Sequence, residues 1–276
     1  LSAVSIGDWV VIILFRKLTY NVYYKTATIN MIKKAYMANV IAGPFLYTNT
    51  GMDVILMDDI EKPIEYLKEC KKDNETTLAY ALDGYWNFLQ FKHGTSTLQY
   101  TEAIIPNSLN KYQIENIEIT KKGKLPQDPY PHGWTEKHWK IYNFLYSPQE
   151  ISFRQAGIEL GWTWRTVKKY YNEVLTQCKI LTSFFPIGRT NYHHQLLTFK
   201  TDYEIGVLHA LKKLDRTSYV YKARDIMILI LFCNPDSLGT NKSARKFKEL
   251  EEKGILRDLH VCTPLYWTHF RTFSQV

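Results

Sequence analysis

Between Thr163 and Val174 the chain carries Thr163, Arg165, Thr166, Lys168, Lys169 and Asn172, interleaved with Val167, Tyr170, Tyr171 and Val174. At helical spacing the apolar residues form one face and leave the polar set on the rest of the circumference. Hydroxyl, amide and guanidinium donors beside the positive end of a helix dipole suit phosphate oxygens and the edges of DNA bases. Arg189, in the turn Gly188-Arg189-Thr190-Asn191, is expected at the tip of a β-ribbon, within reach of a neighbouring phosphate or the minor groove. A similar set, Lys25, Thr26, Thr28, Asn30, Lys33 and Lys34, lies on a helix expected over Tyr24–Met37. Arg165, Thr166 and Lys169 are the leading readers of the later set, and Lys25, Thr28 and Lys33 of the earlier one.

Other reactive residue types are placed less suggestively. The pair His193-His194 opens an expected strand, where successive side chains point to opposite faces, so the two do not share a ligand. Asp58, Asp59 and Glu61 read as a charged first helical turn, favourable with the dipole. The four cysteines, Cys70, Cys178, Cys233 and Cys262, are widely separated with no metal spacing. They read as small buried apolar residues in a reducing, cytoplasmic setting. No GxSxG, HExxH or phosphate-loop motif occurs. No catalytic group, metal or cofactor is therefore expected.

The elements that must hold the basic helix can be read around it. Thr135–Tyr146 is helical in spacing, Ser152 caps a short helix that stops at Gly161, and Thr163 or Thr166 opens the basic helix. The strand Ile180–Phe185, the Gly188 turn and the strand His194–Phe199 complete the order of a winged helix-turn-helix. Charge follows the same organisation within a net +8: residues 1–44 carry +4, 45–110 carry −5, 111–133 carry +1, 134–193 carry +4 and 194–276 carry +4. A basic protein of this kind points first to an acidic partner. The Pro-rich stretch 121–133 reads as a linker.

A shift of 140 residues sets Tyr24-Lys25-Thr26-Ala27 against Trp164-Arg165-Thr166-Val167, and Val40-Ile41 against Ile180-Leu181. Downstream, the first copy reads as Met52–Met57 extended, Ile60–Lys71 helical, Thr77–Ala81 and Trp86–Phe91 as strands, and Ser96–Ala103 helical. The second reads as His194–Lys200 extended, Tyr203–Leu214 helical, Tyr219–Lys222 and Ile226–Phe232 as strands, Ser243–Lys253 helical, and His260–Trp267 as a closing strand. The fold class expected is α+β, as two tandem units. The divisions are 1–44 winged helix-turn-helix, 45–120 ferredoxin-like, 121–133 linker, 134–193 winged helix-turn-helix and 194–276 ferredoxin-like. The first unit lacks its opening helix, and the chain begins at Leu1 rather than Met, so further residues are expected before it. The apolar stretch Trp9–Phe15 is too short to span a bilayer.

The run Ser152-Phe153-Arg154-Gln155-Ala156, then Leu160-Gly161-Trp162-Thr163-Trp164-Arg165-Thr166-Val167, then Val174-Leu175 and Ile180-Leu181 resembles the Lrp/AsnC ("feast or famine") family of archaeal and bacterial transcription regulators. The resemblance covers nearly the whole chain as two units, where the family has one. It implies a sequence-specific regulator of double-stranded DNA, an archaeal source, and helix-turn-helix units each followed by a βαββαβ (RAM-type) effector and oligomerisation domain. Two such domains in one chain would pair as an intrachain pseudo-dimer with non-identical readers, open to further homo-oligomerisation. Gly84, Tyr85 and Asn87 match the family's Gly-x-Tyr-Asp loop near a small-molecule effector, with Asn87 in place of the Asp. The alternative is an enzyme or ligand-binding protein on the same scaffold, similar to the siroheme decarboxylases, with vestigial helix-turn-helix units; their histidine and Tyr-Asn-rich pocket signature is not evident.

Overall fold

Strand alternation in this chain is set by what covers each face. In Thr76–Gly84 (β3), Leu78, Tyr80 and Leu82 point one way and Ala79 and Ala81 the other, the small side facing a short helix. Ile226–Cys233 (β9) is apolar at every position because both of its faces are covered. The computed structural model describes residues 26–107, 113–147, 151–234 and 239–269. It is an α+β protein built on an antiparallel sheet.

In chain order the remaining elements are α1 (Thr26–Met37), β1 (Ile41–Tyr47), β2 (Met52–Met57), α2 (Pro63–Glu69), β4 (Phe88–His93) and β5 (Leu98–Ile104). There follow α3 (Glu136–Phe144), α4 (Phe153–Leu160), α5 (Trp164–Leu175), β6 (Lys179–Phe184), β7 (His193–Thr201), α6 (Glu204–Leu211), β8 (Ser218–Ala223), α7 (Gly239–Glu252) and β10 (Leu256–His269). Among the described residues no helix is long and apolar enough to cross a membrane.

The large sheet runs β2-β4-β3-β10-β7-β9-β8-β5. Its centre is β10, whose first half pairs with β7 (Leu256↔Thr201 to Cys262↔Leu196) and whose second half pairs with β3 (Cys262↔Gly84 to His269↔Leu78). In the reverse sense, β5 from the first half of the chain pairs with β8 from the second, Thr101 opposite Tyr221. The sheet curls until its ends meet. Phe91 of β4 contacts Tyr221 of β8 at 4.8 Å between ring centroids, although four strands lie between them in the order. At the seam, Val54 N donates to Thr97 Oγ1 at 3.0 Å, and the Asp53 carboxylate accepts from Thr95 N and Thr97 N at 2.7 and 3.0 Å. One core lies inside the curl, around Leu82, Leu89, Phe91, Ile228 and Phe232. A second lies outside it, where α6 and α7 bring Val207, Leu211, Phe247 and Leu250 onto Leu229 and Leu231.

Three expectations are corrected. Ser96–Ala103 is not helical: Leu98–Ile104 is the strand β5, reached by a turn at Gly94–Thr97, so the first half has no counterpart of α7 among the described residues. The strands after the basic helices do not form wings. β6 pairs with β1 instead, Ile41 opposite Phe184 and Leu46 opposite Ile180. Both edges of β7 are already taken by β9 and β10, which leaves β6 only the matching strand of the other half. Finally, 121–133 is pinned. Gly123 N donates to Asp202 O and Leu125 N to the Glu204 carboxylate, at 2.9 and 2.7 Å. Asp128 N donates to Gln99 O, its carboxylate accepts from Thr101 N at 2.9 Å, and it pairs with Lys179. An extended Pro-rich segment leaves its polar groups unpaired, and here the outer edge of β5 and the start of α6 satisfy them.

Glu204 is 2% exposed and holds Lys222 at 2.9 Å and Lys124 at 3.4 Å. Glu204→Ala strands the buried Lys222 ammonium, so urea unfolding should report a loss of about 3–5 kcal/mol. Adding Lys222→Met should recover part of it.

Candidate nucleic-acid interface

The helices α3, α4 and α5 owe their boundaries to caps. Thr135 and His138 cap α3 reciprocally. Ser152 Oγ accepts from Gln155 N at 3.1 Å to start α4. Gly161 ends α4 at φ 68°, a left-handed conformation that suits glycine. Two residues later Thr163 Oγ1 accepts from Thr166 N at 3.2 Å and opens α5. The resulting sharp turn sets α5 across α4. Val167, Tyr171 and Val174 are buried against Ile141, Tyr142, Leu145 and Ala156, with Leu46 of β1 completing the cluster. His138 Nε2 meets Glu173 Oε2 at 2.9 Å and ties α3 to α5.

The opposite face of α5 is open. Arg165, Lys168, Lys169 and Asn172 are all exposed, and their i, i+3, i+4, i+7 spacing puts them on one stripe. Among the described residues none of the three cations is ion-paired. The Arg165 guanidinium lies 5.5 Å from the Trp164 ring and the Lys169 ammonium 5.5 Å from that of Tyr170. Thr163 opens the helix as its type suggests: the Thr163 and Thr166 hydroxyls bond each other at 2.9 Å and serve the cap, with Thr163 exposed and Thr166 partly buried. Two large apolar side chains of these helices are exposed, Ile158 of α4 and Trp164 at the start of α5. Their signal in the sequence is that both fall outside the apolar register of their helices.

In the first half, Lys25 lies outside the described residues. Thr26 and Thr28 fall in the first turns of α1, and Lys33 and Lys34 are exposed further along it. The helix rests Ala35 and Tyr36 on Ile41 and Phe184.

Arg189 is not at a ribbon tip. Its backbone N–H donates to Asn39 O at 2.9 Å, which holds its turn against the α1–β1 connection. Its guanidinium turns into the curl of the sheet, 4.3 Å from the Trp267 ring, 5.6 Å from Phe232, 5.7 Å from Tyr219 and 6.0 Å from Phe185. Its Nε is buried with no hydrogen-bond partner. His194 stacks edgewise on Phe232 at 4.7 Å. Burial holds its imidazole below the usual histidine range, and the nearby Arg189 charge adds to the effect. Burial likewise lifts the Tyr80 phenol above its usual range, while the Arg189 charge pulls the other way.

The expected effector loop is also used structurally. Gly84 takes φ 137°, and a Cβ there would lie 2.7 Å from Val261 O. Tyr85 is exposed and stacks on His260 at 3.6 Å. Asn87 donates its amide to Ile60 O and Asp58 O at 2.8 and 3.1 Å and accepts from Ile60 N. An aspartate could not make those two donations, which accounts for the amide at this position. No group of three or more His, Cys, Asp or Glu side chains is placed to hold a metal ion among the described residues.

No family model matches the chain, and no curated protein does. Two solved structures match. The siroheme decarboxylase NirDL is 8% identical, with a TM-score of 0.50 over 89% of this chain and 83% of that one. The same enzyme in co-complex with an iron-uroporphyrin III analogue gives 9%, a TM-score of 0.49 and the same coverage. The likeness is one of fold.

His194 should mark the acid limb of stability. The unfolded chain takes up a proton near pH 6.5, and the folded chain resists it down to a lower pH. Stability is therefore full above pH about 6.5 and falls as pH drops through that value toward the depressed native pKa. Urea midpoints between pH 8 and 5 should reveal this slope, and His194→Gln should flatten it.

Proposed function

We propose that the chain is a sequence-specific regulator of double-stranded DNA with two non-identical reading helices, α1 and α5, akin to a tandem Lrp/AsnC protein without wings. The observation that carries the reading is the stripe Arg165, Lys168, Lys169 and Asn172. It is exposed and free of carboxylate partners among the described residues, and it stands on the second helix of a tight helix-turn-helix. Unpaired cations held on a rigid helix suit a polyanion whose counterions they displace.

The strand order supports the tandem part of the reading. β10-β7-β9-β8 is the fourth-first-third-second order of a ferredoxin-like βαββαβ unit. The first half supplies β2-β4-β3, the first-third-second part of the same order, with its fourth strand β5 given to β8. In this reading the two halves form a pseudo-dimer within one chain. The β1–β6 ladder joins the strands that follow the two reading helices, so their separation is fixed and the half-sites keep one spacing. The effector loop is not part of the proposal, because Asn87 closes its own loop.

Genomic selection of bound fragments should return an asymmetric bipartite site. On that site Arg165→Ala should cost on the order of 1–3 kcal/mol, about five- to 150-fold in affinity, and reduce the salt slope by about one. Absence of duplex binding by the native protein at low salt would sink the reading. A tetrapyrrole co-purifying with the protein, visible in its absorption spectrum, would favour an enzyme like the NirDL neighbours instead.

A further inference from the structure

Each reading helix ends in a connection that its own last turn holds in place. After α1, Ala38 N donates to Lys34 O and Val40 N to Ala35 O, both at 2.9 Å. After α5, Gln177 N donates to Val174 O at 3.1 Å. Carbonyls of these connections are then taken up by the opposite half of the chain, just beyond the strand that follows its own helix. Asn39 O and Val40 O accept from Arg189 N at 2.9 Å and Phe185 N at 2.7 Å, in the turn after β6. Gln177 O accepts from the buried Thr48 Oγ1 at 3.2 Å, in the segment after β1. Thr48 and Gly188 stand 140 residues apart, the same shift that relates the two halves. Gly188 decides how closely the first contact can form. It takes φ 86°, a conformation that favours glycine, and a Cβ on it would lie 2.6 Å from Ala38 O. Any larger side chain must push this turn and the end of α1 apart.

We propose that Gly188 and Thr48 are positioning residues that cross-brace α1 and α5 and so set the half-site spacing the protein accepts. The inference rests on the reading of both helices as DNA-binding. The β1–β6 ladder fixes the strands, and the two cross-contacts carry that constraint to the helix ends. The dependence is unequal. α5 is also packed on α3 and α4, whereas α1 rests only Ala35 and Tyr36 on Ile41 and Phe184 among the described residues. On a duplex, one added base pair moves a half-site by about 3.4 Å and rotates it by about a tenth of a turn. A braced pair of helices rejects that change, and a loosened pair follows it. Two linked readers gain from each other only where both can engage at once.

Binding of the full chain to its genomically selected site tests this, with the spacer between the half-sites left as selected or changed by one or two base pairs. The native protein should lose tenfold or more in affinity for a change of one base pair. Gly188→Ala should cut that penalty to threefold or less, or move the preferred spacer length. Thr48→Val, which removes the donor to Gln177 O, should cut it by a smaller factor. A merely structural role lowers affinity equally at every spacer length, and that result overturns the inference. If Gly188→Ala does not fold by circular dichroism, Thr48→Val decides. The inference alone fails, with the DNA reading intact, if the native protein binds all spacers alike or if the folded variants keep the native spacer profile. Absence of duplex binding by the native protein overturns both.

Discussion

Most of this architecture depends on one strand serving two partners. β10 presents one edge to β7 and the other to β3, overlapping at Cys262, so the backbone hydrogen bonds of both half-sheets close through it. Each of those bonds is modest in net terms, but leaving the groups unpaired inside the protein would be costly. With β10 in place, the two end strands of the large sheet are β2 and β5. They are brought together and stitched by Asp53, Thr95 and Thr97 rather than by a regular ladder. The curl, the aromatic interior and the position of Arg189 follow from that closure. The helices lie outside it, and α3, α4 and α5 form a cluster of their own, joined to the rest through Leu46 and the Asp128–Lys179 pair.

The second half of the chain was legible because its signals are local. Ser152, Gly161 and Thr163 act where capping chemistry places them, and the apolar register of α5 separates its buried from its open face. β7, β8 and β9 follow from runs such as Ile226–Cys233, which leave little alternative to a buried strand. Choices of partner were not legible. That β6 pairs with β1, and β5 with β8, depends on which edges remain open once the rest of the sheet has formed. No periodicity within a strand records that. The segment 98–104 was misread for a related reason: Leu98, Tyr100 and Thr101 suit a strand, yet the repeat with the second half suggested a helix there.

The candidate site divides the same way. The stripe on α5 could be read from spacing, but the use of Thr163 and Thr166 in a cap could be separated from binding only with their mutual hydrogen bond in view. Arg189 sits in a Gly-Arg-Thr-Asn turn whose composition signals solvent. The rings that surround it come from positions 185, 219, 232 and 267, on four different elements, so its environment exists only in the closed sheet. The charge count carries a similar lesson. Arg189, Lys179 and Lys222 are committed to the interior or the joints, while the α5 stripe and Lys33 and Lys34 of α1 stay exposed to an outside polyanion.

The position of β10 in the chain also bears on how the protein is made. A ribosome releases β3 and β4 long before β10, and during that interval the first half-sheet has an unfilled edge at β3. Domains usually fold as they emerge, N-terminal first. Here the N-terminal half cannot finish on that schedule, because the strand that completes it is the last element of the described chain. Its pairing spans most of the sequence, and such long-range closure is slow. The two halves therefore mature together in one late step, and during synthesis the open β3 edge is the part of the nascent chain most in need of shielding.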